Sequence, residues 1–336
     1  MKMELFKEVV KENPNKNVFI SPLSISVALR NLKYGACGKT IKEISSVLED
    51  DEFTLDNIVL YDKIYGDSNL DVEESYVKKV EDKFEKVNFR RDHEKLISSI
   101  NNAVENTTNG KIKDIISDIS YNTRLLIVNA VYFKATWVNK FVKYNNTIEK
   151  FWIDHSQYKN VEMMFNNDYY KHVYIDDIKS SFIEIPYDMD YSMIILLPDN
   201  ILGSEEVEKK LSNKSLIQWY NKATMKDVDL SIPKMSLSES YRLNTCLSNL
   251  GVNIFDSSSN FKNISKSSDL YVSDFYHKTF VDINEDGTEA AAASALLLKD
   301  CCASKSIRFN ADHPFIFLIK HNKSFSIVFM GKFCTP

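Results

Sequence analysis

Residues 285–304 read EDGTEAAAASALLLKDCCAS: an acidic pair and a glycine, four consecutive alanines, an apolar run, and then Lys299-Asp300-Cys301-Cys302. The stretch conflicts with its surroundings. Alanine and leucine are strong helix formers, yet the flanks are rich in β-branched and aromatic residues. Phe280-Val281-Asp282-Ile283 alternates like a half-buried strand, and Phe315 to Ile319 and Phe325 to Met330 read as buried strands. An apolar run this short fits a brief helix between two strands as well as a strand. A local preference that disagrees with its surroundings marks a functional segment.

Helical periodicity covers residues 1–12 and 22–48, the second led by Ser21-Pro22, an N-cap with proline in the first turn. Gly35 and Gly38 punctuate it. A strand is expected at 57–65, and amphipathic helices at 73–86 and 93–106, the latter ending at Asn109-Gly110. Leu125 to Trp137, LLIVNAVYFKATW, has the bias of one central strand. A hairpin is expected from Phe182–Ile185 and Met193–Leu197 around Tyr187 to Asp190, helices at 204–222 and 239–250, and a strand at 228–232. No repeat or linker divides the chain, so the expectation is a single α+β domain over residues 1–336.

With 336 residues, 44% of them hydrophobic, the chain has material for a substantial core. The net charge of −5 is spread along the sequence, so no basic face invites nucleic acid or anionic lipid. The first ten residues are charged and helical in period, unlike a secretory signal, and no apolar run reaches membrane-spanning length. Five cysteines without CxxC spacing argue against a disulfide framework or a zinc site. A cytosolic location in a reducing compartment is the expectation.

Enzyme motifs are missing. The eight glycines form no GxGxxG, P-loop or GxSxG, and the six histidines show no metal-ligand spacing. His277 beside Lys278 fits a polar network better than a catalytic base, and no motif puts a base near Cys301 or Cys302. The expectation is therefore no enzyme, no metal and no cofactor.

Taken in order, the motifs resemble the serpin family across essentially the whole chain. Asn17 to Ile25, NVFISPLSI, is similar to that family's opening helix signature, and Thr107 to Ile112, TTNGKI, to the segment before its central sheet. Asn129 to Lys134 with Trp137 resembles a strand of the main sheet. Leu270 to Ser273, His277-Lys278, the segment Glu285 to Ala293 that matches the family's hinge, and Asp312-His313-Pro314-Phe315 complete the pattern. The resemblance implies three sheets and about nine helices, one of them deleted, with an exposed reactive loop at about 285–304.

It also implies roles. Glu285, Gly287, Thr288, Glu289 and Ala290, Ala291, Ala292, Ala293 would form the hinge, which inserts as a strand once the loop is cut. Thr288, Ala290 and Ala292 would face one way, all small and uncharged, as the period of two requires. Ser21, Ser24, Asn129 and His277 would form a polar shutter controlling strand separation; taken singly they read as an N-cap serine, a helix serine and a satisfied histidine. The commonest loop length puts the cleaved bond after Cys301. Poxviral intracellular serpins have a loop one residue shorter, and that count from Thr288 puts it between Asp300 and Cys301.

Leu297, Leu298 and Lys299 would then set specificity, and the partners expected are host proteases that select aspartate: caspase-1-like enzymes and granzyme B. A trap for trypsin-like proteases cut after Lys299, or a non-inhibitory binding serpin, are the alternatives. Only six residues separate Leu48 from Leu55, where most relatives carry a helix used for glycosaminoglycans, so heparin activation is not expected. The expected form is a monomer.

Overall fold

The computed structural model describes residues 2–48, 56–91, 93–266, 270–288 and 306–336. Up to Thr136 the elements are α1 (Lys2–Glu12), β1 (Val18–Ile20), α2 (Pro22–Lys33), α3 (Gly38–Val47), β2 (Ile58–Asp67), α4 (Glu74–Val80), β3 (Phe84–Val87), α5 (His93–Thr107), β4 (Leu125–Phe133) and β5 (Ala135–Thr136). Then come β6 (Thr147–Trp152), β7 (Tyr158–Ile175), β8 (Ser180–Pro186), β9 (Tyr191–Pro198), α6 (Ser204–Lys210), α7 (Asn213–Lys222), β10 (Thr224–Pro233), β11 (Met235–Arg242) and α8 (Asn244–Asn249). The chain closes with β12 (Val272–Asn284), β13 (Gly287–Thr288), β14 (Ile307–Asn310), β15 (Phe315–His321) and β16 (Ile327–Phe333). Eight α-helices lie among the described residues, in line with the expectation of about nine with one deleted; the short 49–55 segment lies outside them.

Two compact units emerge, one made of residues 1–9, 20–132 and 238–280, the other of 10–19, 133–237 and 281–336. In the first, the strand order is β3-β2-β4-β12. Strands β4 and β12 run parallel, with His277 opposite Asn129. Every residue of β4 is buried, as a central strand covered on both faces must be. Ile100 and Val104 of α5 share a core cluster with Leu126, Val128 and Ala130.

In the second unit β7 is the organiser. Residues 158–163 pair with β6, 163–172 with β10, and 171–175 with β8. One eighteen-residue strand thus links a β6-β7-β10-β14 segment to a β8-β9-β15-β16-β1 segment. Counted separately, these segments and the sheet containing β4 make three sheets. Phe19 stacks on Phe317 and Phe329 at 5.7 and 5.1 Å between ring centroids.

Four element boundaries depart from the sequence reading. The helix expected at 73–86 ends at Val80, because Glu81 adopts φ +50°, and Phe84–Val87 pairs parallel with β2. The helix at 204–222 splits at Ser212, whose hydroxyl and that of Ser215 form a capping box that starts α7. Residues 239–242 are strand, and the helix begins only at Asn244. The run from Leu125 to Trp137 breaks at the exposed Lys134, between β4 and β5.

Candidate functional site

The first unit buries a polar network on the β4–β12 pair. Ser21 caps α2, its hydroxyl accepting the Ser24 N–H at 3.2 Å, while its own N–H donates to His277 Nε2 at 3.1 Å. A backbone N–H can only donate, so the ring proton sits on Nδ1 and is given to Asn129 Oδ1, 2.8 Å away. The Ser24 hydroxyl donates to the same Oδ1 at 2.8 Å. Burial pushes His277 down to about 3, so the ring is neutral. Ser21, Ser24, Asn129 and His277, four residues spread over the sequence, are brought into one connected cluster.

The cluster has two members the sequence reading missed. Asn129 Nδ2 donates to Asp62 Oδ1 at 3.1 Å, and Asn31 Nδ2 donates to Asp62 Oδ2 at 2.9 Å. Asp62 is 4% exposed, and burial pushes its carboxyl up to about 6 against the two amide hydrogen bonds. With Nδ2 committed to Asp62 and to the Ser24 carbonyl at 3.2 Å, the Asn129 amide has one orientation, Oδ1 toward His277. The available signal was a single carboxylate, followed by Lys63, inside the mostly apolar run Ile58 to Tyr65.

In the second unit the hinge begins as a strand. Asn284 and Ile283 pair with Gly287 and Thr288 around the two-residue turn Glu285-Asp286, and the other edge of β13 pairs with Thr136 and Ala135. Gly287 has φ +143°, and a Cβ there would come under 3.0 Å from Ala135 O, Thr136 Cα and Trp137 N. Only glycine fits. Thr288 is fully buried, its hydroxyl 2.8 Å from that of Tyr187. Tyr187 stacks on Trp137 at 4.1 Å, and Trp137 Nε1 donates to the Asn284 carbonyl at 2.9 Å. Burial raises the Tyr187 hydroxyl far above the usual tyrosine range, so it keeps its proton.

The turn is also held by charge. Glu285 accepts from Asn146 Nδ2 at 2.6 Å and from Lys234 Nζ at 3.2 Å, and Lys234 also reaches Glu162 at 3.2 Å. Burial opposes the charge on Lys234, but the two carboxylates outweigh it and raise its pKa. Asp286 pairs with Lys140 at 3.0 Å. Trp137 was read only as part of a strand motif and Tyr187 only as the start of a turn, and Asn146 and Lys234 were given no role by sequence. Glu289, Ala290, Ala291, Ala292, Ala293, Leu297, Leu298, Lys299, Asp300 and Cys301 lie outside the described residues, as does the choice between helix and strand for the alanine run.

A family model described as serpin (serine protease inhibitor) matches residues 1–336. The chain belongs to the serpin family. This serpin is 36% identical to serine proteinase inhibitor 2 of Myxoma virus (strain Uriarra), over 99% of each chain. It is 34% identical to the leukocyte elastase inhibitor of Xenopus laevis, covering 99% of this chain and 97% of that one. Among solved structures it is similar to a tumour-suppressing serpin, with a TM-score of 0.88 at 31% identity, covering 99% of this chain and 97% of that one.

The family match corrects one expectation. The expectation of no enzyme, drawn from missing motifs, is overturned by the match, whose positive description of the family is serine protease inhibitor. No helix among the described residues is long and apolar enough to cross a membrane.

Proposed function

We propose that this serpin is a suicide inhibitor of aspartate-specific proteases, cleaved between Asp300 and Cys301 in the cytosol of an infected host cell. The observation that carries the reading is the state of Gly287-Thr288, already hydrogen-bonded on both edges with Thr288 buried. A strand begun there needs only small, uncharged residues to extend along β12, and Ala290, Ala292 and Ser294 supply them. The similarity to a poxviral serine proteinase inhibitor supports the viral setting.

The target's nucleophile attacks the Asp300 carbonyl, the bond to the Cys301 nitrogen breaks, and an acyl or thioacyl enzyme forms. Insertion of the freed loop carries the attached protease away before water can release it, using energy stored in the metastable fold. In this reading Ser21, Ser24, Asn129 and His277 are the shutter that keeps β4 and β12 paired until the loop enters. An arginine-based pocket binds the Asp300 carboxylate by a bidentate fork. Leu297 and Leu298 fill apolar outer subsites, and Lys299 distinguishes this bait.

The test is incubation with caspase-1, granzyme B, elastase and trypsin, followed by intact-mass mapping of the cut and thermal melting of the product. Cleavage after Asp300 with a large rise in melting temperature is expected. A cut only after Lys299 assigns a trypsin-type target, and cleavage without a rise assigns a non-inhibitory serpin; either outcome overturns the proposal.

A further inference from the structure

A cavity of about 300 Å³ opens in the second unit, remote in sequence from the hinge, with Tyr170, Lys171, Glu184, Tyr220, Met225 and Asn322 on its walls. Its floor is a charge cluster on the sheet. Lys171 of β7 and Glu184 of β8 are register partners, and the ammonium lies 3.5 Å from the carboxylate. Lys320 of β15, almost wholly buried, reaches the other Glu184 oxygen at 2.8 Å. Two ammonium groups thus share one carboxylate, leaving one positive charge in excess.

The hydrogen bonds show how that excess is presented. Lys171 Nζ donates to Tyr220 Oη at 2.6 Å and lies 4.1 Å from the centre of that ring. Burial opposes its charge, but the Tyr220 hydroxyl and the Glu184 carboxylate outweigh it and raise its pKa. Lys320 donates to Asn322 Oδ1 at 2.6 Å, as does the Ser192 hydroxyl at 2.9 Å. An ammonium can only donate, so the Asn322 amide is oriented with Oδ1 toward Lys320 and Nδ2 the other way. Among the described residues Asn322 Nδ2, the Tyr220 O–H and one N–H of Lys171 have no acceptor. The residues that carry these three donors, partly buried Lys171 and Tyr220 and exposed Asn322, line the cavity, and the Glu184 carboxylate is already taken up by the two lysines.

The geometry points to a binding site for a small organic carboxylate, its anionic end on Lys171, Tyr220 and Asn322 and its apolar body against Tyr170 and Met225. A neutral ligand leaves the excess charge uncompensated, whereas a carboxylate accepts all three donors. The volume fits a ring with a short acidic chain, not a polymer.

The probe is 3-phenylpropionate, titrated calorimetrically into the intact protein at low salt, with 3-phenylpropanamide as the neutral isostere. Saturable one-to-one binding at least tenfold tighter for the acid is expected. Lys171→Met should weaken it tenfold or more. Asn322→Asp, which keeps an acceptor for Lys320 and so preserves the fold, should do the same while leaving loop cleavage unchanged. No saturable binding up to millimolar acid, equal binding of acid and amide, or wild-type affinity in folded Asn322→Asp would overturn the assignment.

Discussion

His277 and Asn129 face each other in the parallel register of β4 and β12, joined side chain to side chain at 2.8 Å. The bond crosses the strand pair itself, so separating the strands breaks it. Each partner is fully buried, and each is tied behind to α2 through Ser21 or Ser24. His277→Phe keeps the bulk but orphans the Ser21 N–H. A loss of about 1–3 kcal/mol in urea unfolding and faster self-association on mild heating are expected. An unchanged unfolding midpoint would show that the bond does not hold the seam.

The same histidine sets an acid limit. Its pKa is about 3 in the fold against 6.5 for the free group, so its contribution is present above about 6.5 and lost as pH falls through about 3. Melting temperature measured from pH 7 to pH 4 should fall less steeply in His277→Gln than in the parent.

Asp62 works in the opposite sense. Its folded value, about 6, lies above the free 3.8, so the stability it contributes is present below about 3.8 and lost as pH rises through about 6. The buried charge costs at most about 3 kcal/mol at neutral pH. Asp62→Asn removes the buried charge but leaves one of the two amide donors without an acceptor, so the variant's melting temperature relative to the parent should rise from pH 4 to pH 7.5. An equal difference at both pH values would rule out the buried charge as its cause.

Gly287→Ala puts a methyl group into the backbone of Ala135 to Trp137. The β13 pairing should be lost, at about 1–3 kcal/mol, and hydrogen exchange at Trp137, whose N–H donates to the Asp286 carbonyl at 2.9 Å, should accelerate. Retained protection there would mean the strand adapts.

Thr288→Arg asks a guanidinium to occupy a fully buried position beside Tyr187. It should convert inhibition into simple cleavage, read as a rise in the moles of serpin consumed per mole of protease inhibited. Tyr187→Phe, which removes only the hydroxyl contact, should cost about 1 kcal/mol.

The turn before the hinge is sensitive to charge. Lys234 bridges Glu285 and Glu162, and Lys234→Gln leaves Glu285, of which 13% of the side chain is exposed, to Asn146 alone. A loss of about 1 kcal/mol is expected, partly screened by salt because Lys234 is one-third exposed. A salt-independent loss would assign the effect to packing.

Periodicity was legible wherever one side of an element is buried. Helices α1, α2, α3 and α5 and strands β2, β8 and β9 lie where their patterns put them, β12 extends eight residues upstream of the Phe280–Ile283 alternation, and Ser21-Pro22 starts α2 as its cap chemistry requires. The failures share a cause: boundaries at 81, 212 and 243 are set by a single residue's backbone angle, a two-serine cap and a strand pairing, none of which carries a period. The long run at Leu125 hid a break because both sides of Lys134 are equally apolar.

The ordered motifs pointed to the family, and the resemblance, not the residue types taken singly, pointed to the candidates Ser21, Ser24, Asn129, His277, Gly287 and Thr288. Only the tertiary structure decided what these residues touch. Asp62 and Asn31 complete the Asn129 network from other elements, and Tyr187, Trp137 and Lys234 close on the hinge from segments just beyond strands β8, β5 and β10. The physical reason is that hydrogen bonds and charges act over a few ångströms in space, whatever the separation along the chain. The segment from Glu285 to Ser304 stood out in sequence as a conflict of propensities; in the fold its first residues, Gly287 and Thr288, are already a strand because Ala135, Thr136 and Tyr187 are there to receive them.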